Sequence, residues 1–197
     1  MSSKREYTAH FDGGTNILHL SKVNKVIKRD IRYWGYQIWD TACCEDCAVT
    51  SNGNHFPIHN PIKQEHGFNY FSDRKATNNE AEYIALIKLL EYFKYEYPYC
   101  CQQQGIHACE RDYDKTVNLT IKGDSKLVIN QVFGDWETRA YNLKSFNEYA
   151  KELVHALTGT NGLVVENLFL EISTSHSPRD EHLQRSVDKW ARGSYVD

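Results

Sequence analysis

The chain has 197 residues, 41% of them hydrophobic and 13% aromatic, with a formal net charge of −3 at pH 7. Such a length and apolar content suit one globular domain with a sizeable core and exclude an extended disordered chain, while the slight acid excess excludes a surface that coats nucleic acid by bulk charge. No apolar run approaches the ~20 residues of a membrane span, and the opening MSSKREYTAH lacks the apolar stretch of a signal peptide, so the expectation is an intracellular, cytoplasmic protein.

In chain order, Tyr7, Ala9 and Phe11 alternate with Thr8, His10 and Asp12, which predicts a strand that stops at the pair Gly13-Gly14. Asp12 falls on its polar side, at its end. The strip Lys22, Lys25, Lys28 and Arg29 reads as a solvated basic face, with phosphate contact as the alternative. IRYWGYQIWD, rich in aromatic and β-branched residues, predicts a second strand, and residues 41 to 75 a long loop around a further strand at GFNYF.

A helix is predicted from Asn78 to about Tyr97, stopped by Pro98. Thr77 and Glu80 have the spacing of a capping box, in which each side chain satisfies a backbone N–H at the helix start. Glu82 is different: Leu86, Leu89 and Phe93 return to its side, so it lies on the edge of the stripe that faces the core. A carboxylate turned inward needs a partner.

Farther on, Val117, Leu119 and Ile121 alternate with Asn118, Thr120 and Lys122 until Gly123-Asp124 breaks the strand, leaving Asp124 with the same polar parity as Asp12 and Ser125 as an N-cap. DWETRAYNLKSFNEYAKELVHAL is helical by its Leu143, Phe146, Tyr149 or Ala150, Leu153 and Leu157. LVVENLFLEIST predicts a last strand, and EHLQRSVDKWARG a last helix carrying Asp188. The order of elements is that of a single layered α/β domain, which by itself fixes no function.

Asp12 and Asp124 at strand ends, Glu82 at a helix start and Asp188 in the last helix form a set of four carboxylates. Like charges brought together require protonation or a strong cation between them. Hard oxygen ligands suit Mg2+ or Mn2+, and two such ions ~3.5 to 4 Å apart can stabilise the attacking and leaving oxygens of a displacement at phosphorus. That pattern points to nuclease chemistry.

FDGG, TNNEAEYIAL, GDSKLVINQVFGDW and RSVDKWA stand in the order and context of type 1 ribonuclease H, and the chain most resembles that family's compact archaeal and bacterial branch. TNNEAEYIAL together with GDSKLVINQ is a specific match; DGG alone is a weak one. The resemblance implies a ribonuclease H-like α/β fold with a five-stranded mixed sheet flanked by helices. Strands ending at Asp12 and Asp124 would then be parallel neighbours with the Glu82 helix beside them. It implies one domain over residues 1–197, with insertions near 16–30, 41–70 and 98–114.

The implied activity is metal-dependent endonucleolytic hydrolysis of the RNA strand of RNA/DNA hybrids with two Mg2+ or Mn2+ ions, giving 5′-phosphate and 3′-hydroxyl ends. Action on RNA duplexes, or a non-catalytic nucleic-acid-binding module of the same fold, are the alternatives. By the same resemblance Asp12, Glu82, Asp124 and Asp188 bind metal. Gly13, Thr77, Asn78, Asn79, Ser125, Lys126 and Trp136 are expected at the nucleic acid, Lys126 standing where many relatives carry Gln. His176 is favoured over Arg179 and His182 as a catalytic helper in the final loop.

The six cysteines fall in two tight groups, Cys43, Cys44 and Cys47, then Cys100, Cys101 and Cys109. Cys44 and Cys47 have CxxC spacing, and Cys100, Cys101 or Cys109 can complete a candidate structural Zn2+ site, Cys101 and Cys109 being the favoured pair and His55, His59, His66 and His107 the alternatives. Free or partly buried thiols are the competing reading.

Overall fold

Alternating apolar residues build the centre of the sheet. In the computed structural model, which describes residues 5–22, 25–40, 48–49, 55–56, 61–70, 75, 77–97, 116–159, 169–179 and 181–193, strand β1 runs over Arg5–Lys22 and β2 over Lys25–Asp40. Strand β3 is Lys63–Tyr70, β4 Thr116–Gly123 and β5 Phe169–His176. The sheet has the order β3-β2-β1-β4-β5. β1 is antiparallel to β2 and parallel to β4, and β4 is parallel to β5, so the sheet is mixed and five-stranded. A separate two-strand ladder pairs Ala48–Val49 with His55–Phe56.

Both faces of the sheet are covered. Helix α1, Asn78–Glu91, packs its Ala85, Leu86, Leu89 and Leu90 on Tyr7, Ala9 and Phe11, with α2 (Lys126–Val132) and α3 (Tyr141–Thr158) completing that layer. Helix α4, His182–Gly193, lies on the other face over β1 and β2. Two glycines permit these approaches: a Cβ on Gly13 would lie 2.3 Å from the Ala81 carbonyl carbon of α1, and one on Gly35 2.8 Å from Ala191 Cβ of α4. Any side chain there would push a helix off the sheet.

Several expectations need correction. β1 does not stop at Gly13-Gly14; it continues in an unbroken hairpin with β2 from Tyr7↔Asp40 to Lys22↔Lys25. What ends after Phe11 is its pairing with β4, so the glycines mark close packing instead of a turn. The third strand is longer than GFNYF. The first long helix changes to a π turn over Tyr92–Glu96, whose wider winding turns the consecutive residues Tyr92 and Phe93 both inward. There Phe93 and Tyr97 join Tyr7, with the Tyr7 and Tyr97 hydroxyls 3.1 Å apart.

Helix α3 begins at Tyr141 and not at residue 135, because the preceding backbone is bound elsewhere. Gln131 Nε2 donates to Glu137 O at 3.1 Å, and Trp136 N donates to Asn130 O at 3.1 Å. All six cysteines, and therefore the candidate zinc ligands Cys44, Cys47, Cys101 and Cys109, lie outside the described residues, as do the side chains of Lys22, Lys25, Lys28 and Arg29 and the connection at 98–114. Among the described residues no helix is long and apolar enough to cross a membrane.

Candidate active site

Parallel pairing places the first acids. Phe11 is opposite Gly123 in the β1–β4 ladder, so Asp12 and Asp124 are the next residues of two adjacent strands and emerge side by side at their carboxyl ends. In open α/β sheets this edge is where ligands bind. The contact between Gly13 and the Ala81–Glu82 backbone brings the first turn of α1 against that edge. Glu82 thereby joins the two aspartates, and one carboxylate oxygen from each of Asp12, Glu82 and Asp124 lies within 4.8 Å of the others.

The group is buried: Asp12 is 1% exposed and Glu82 5%. Neither Asp12 oxygen has a hydrogen-bond partner, and Glu82 Oε2 and Asp124 Oδ1 also lack one. Burial is the main cause that raises Asp12 to about 8, followed by the neighbouring Asp188 and Asp124 carboxylates, with Arg179 opposing. Glu82 is held well above the ordinary carboxylate range, first by burial and then by the charges of Asp12 and Asp124. A cluster of unpartnered carboxylate oxygens, largely buried, that must take up protons to remain neutral fits a hard divalent cation. Oxygen-only donors suit Mg2+ or Mn2+ better than a softer metal.

Asp188, in α4, is not one of the three converging acids, although it reaches Asp12. Its Oδ1 accepts from Arg192 Nε at 2.8 Å. Of the three candidates for the helper role, Arg179 touches the acids: its Nε donates to Asp124 Oδ2 at 2.9 Å. His176 ends β5 opposite Gly123 with its side chain exposed, and His182 is exposed at the start of α4.

Of the residues expected at nucleic acid, Gly13 is buried against the Ala81–Glu82 backbone of α1, and the others lie nearer the surface. Thr77 caps α1 and forms the capping box with Glu80. Asn78 Oδ1 accepts from Thr15 N at 3.1 Å and from Thr15 Oγ1 at 2.7 Å, which ties the helix tip to β1. Asn79 and Lys126 are exposed, and Ser125 caps α2 by accepting from Val128 N. Trp136 is 54% exposed on a loop anchored by Gln131, whose side-chain carbonyl accepts from Tyr83 OH at 2.8 Å. Asn147 donates to both Tyr83 OH and Gln131 O at 3.0 Å, so a buried polar network fixes the loop to α1 and α3.

Two residues escaped sequence reasoning. Glu80 caps, but it is also fully buried in an ion pair with Arg32 of β2, and Asn142 Nδ2 of α3 donates to its Oε1 at 2.9 Å. The available signal was Arg32 itself, a charge inside an aromatic strand. His10 is completely buried and packs edge-on against Trp39. Gln184 Nε2 donates to Phe11 O, so Gln184 Oε1 is left to accept from His10 Nδ1 at 3.1 Å. This pair docks α4 on β1; burial, its largest cause, lowers His10 to about 4.

No family model matches the chain, and no curated protein matches it. Among solved structures, the N-terminal RNase H domain of a Mycobacterium tuberculosis protein, solved as a fusion with maltose binding protein, aligns over 98% of this chain and 94% of its own at 18% identity, with a TM-score of 0.53. RNase H1 of the halophilic archaeon Halobacterium salinarum NRC-1 aligns over 96% of both chains at 22% identity and a TM-score of 0.47. LC11-RNase H1 in complex with RNA/DNA hybrid aligns over 96% of both chains at 18% identity and a TM-score of 0.48. Strand order and the first of these likenesses show a ribonuclease H-like fold.

Proposed function

We propose that the protein is a divalent-metal-dependent endonuclease that hydrolyses the RNA strand of RNA/DNA hybrids, acting as one domain with insertions near 16–30, 41–70 and 98–114. The observation that carries this reading is the convergence of Asp12, Glu82 and Asp124, the first two buried and each of the three with an unpartnered oxygen, at the carboxyl ends of two parallel strands. These three acids would hold Mg2+ or Mn2+, with Asp188 completing the set from α4. When bound, the ions supply Lewis-acid stabilisation of the attacking and leaving oxygens at phosphorus.

The chain's own residues account for the rest. Asp12 and Glu82, held neutral by protons in the empty site, would give up those protons to hold the cation, which would offset the cost of crowding the acids at pH values where they ionise. Thr77, Asn78 and Asn79 present exposed polar groups beside the acids, suited to the sugar-phosphate backbone and to the 2′-hydroxyls that distinguish RNA from DNA. Trp136 offers an apolar face for the DNA strand. Arg179 takes over the helper role first given to His176: placed on Asp124 at the rim, it can attract phosphate and help the 5′-phosphate product leave.

The test is incubation of the purified protein with Mg2+ or Mn2+ and end-labelled RNA/DNA hybrid, RNA duplex, DNA duplex and single strands in parallel. Internal cleavage of RNA only in the hybrid, with 5′-phosphate ends and inhibition by EDTA, is expected. Preferential cleavage of RNA duplex would reassign the substrate, and binding of hybrid without cleavage would overturn the enzymatic reading.

A further inference from the structure

Asp188 is held between two sets of charges. On one side its negative charge acts against that of Asp12. On the other, Arg192 Nε donates to its Oδ1 at 2.8 Å from one turn farther along α4. The Arg192 guanidinium has a fixed platform, its central carbon 5.7 Å from the centre of the Tyr33 ring. Tyr33 itself is buried, and its hydroxyl occupies the space a Gly14 side chain would need, 2.2 Å from an ideal Cβ. Arg179, the cation on Asp124, stands on the loop after β5 and is 60% exposed. Arg192 differs in being tethered to its acid by the helix and backed by an aromatic ring.

Resting on the reading of the four acids as a divalent-cation site, we propose that Arg192 is a built-in counter-ion that competes with a divalent ion for Asp188 and so sets the affinity of the α4 side of the site. A carboxylate already neutralised by a guanidinium has less to offer an incoming cation. Because Arg192 is half exposed and screened, the competition is moderate in size. Tyr33 holds the guanidinium over the ring, and Gly14 leaves space for the ring.

Isothermal titration with Mn2+ alone, without nucleic acid, tests this on the full chain, with thermal unfolding to verify folding. Arg192→Gln should bind Mn2+ roughly 3- to 10-fold more tightly than the parent, and Arg192→Lys, which keeps the charge, should stay within about 2-fold of it. In an Asp188→Asn background the gain from Arg192→Gln should vanish. Unchanged or weaker Mn2+ binding by folded Arg192→Gln would overturn the proposal, as would a gain of equal size without the Asp188 carboxylate, which would indicate general charge alone. A parent that binds Mn2+ but cleaves no hybrid refutes the nuclease reading while the titration still decides the role of Arg192. A parent that binds no Mn2+ overturns both.

Discussion

Asp12 and His10 share one face of β1 and are both buried, yet they respond to pH in opposite directions. Asp12 is raised from 3.8 to about 8, so its contribution to stability is complete below 3.8 and lost as pH rises through 8; Glu82 acts in the same sense. His10 is lowered from 6.5 to about 4, so its contribution is present above 6.5 and lost as pH falls through 4. The two oppose one another between about 4 and 6.5, and the acids act without His10 between about 6.5 and 8. In EDTA, the unfolding free energy should therefore fall over that upper window, by at most about 1.4 kcal/mol per pH unit for each acid. Asp12→Asn should flatten the fall, and saturating Mg2+ or Mn2+ should remove it. Denaturant titrations across pH measure this; a parent whose metal-free stability rises from pH 6.5 to 8 would contradict it. At this scale the acids were legible in the sequence, because strand parity and helix spacing set where Asp12, Glu82 and Asp124 point. His10 was not, because alternation alone cannot tell a solvated face from one covered by a later helix.

The start of α1 shows how one element separates two acids that are two residues apart. Glu80 joins the cap to Arg32 of β2 and Asn142 of α3, whereas Glu82 faces the aspartates. The capping role alone predicts a loss of about 0.5 to 2 kcal/mol for Glu80→Ala. Losing the buried ion pair with Arg32 as well raises the expected cost above that of the cap alone. Glu82→Gln should do the reverse, retaining or slightly raising metal-free stability at pH 8 while weakening Mn2+ binding and cleavage. Denaturant unfolding and Mn2+ titration of both variants decide it: a stable Glu80→Ala that has lost Mn2+ binding, beside a Glu82→Gln that keeps it, would reverse the assignment. The helix and its box were readable from TNNEAEYIAL. The buried ion pair was not, since it depends on the register that sets Arg32 opposite Thr15 on the α1 face. The π turn and the late start of α3 likewise depend on tertiary contacts of Tyr97 and Gln131.

For the whole molecule, the sheet order explains why acids from three distant segments meet, with Asp188 of α4 brought up to their side. β1 and β4 end together, Gly13 admits α1 on one face, and Gly35 admits α4 on the other. The resemblance of four sequence blocks anticipated this arrangement, including the parallel pairing that local periodicity cannot supply. It did not anticipate the long β1–β2 hairpin, where a glycine pair reads locally as a stop. The central claim is that these acids perform metal-dependent cleavage. Cleavage of an end-labelled RNA/DNA hybrid in Mn2+ by Asp124→Asn protein, compared with the parent at equal concentration and equal folded fraction, tests it most directly. Loss of about 100-fold or more in rate is predicted, since under the proposed function the carboxylate would hold the ions that stabilise the reacting oxygens. Parental activity in the folded variant would contradict it.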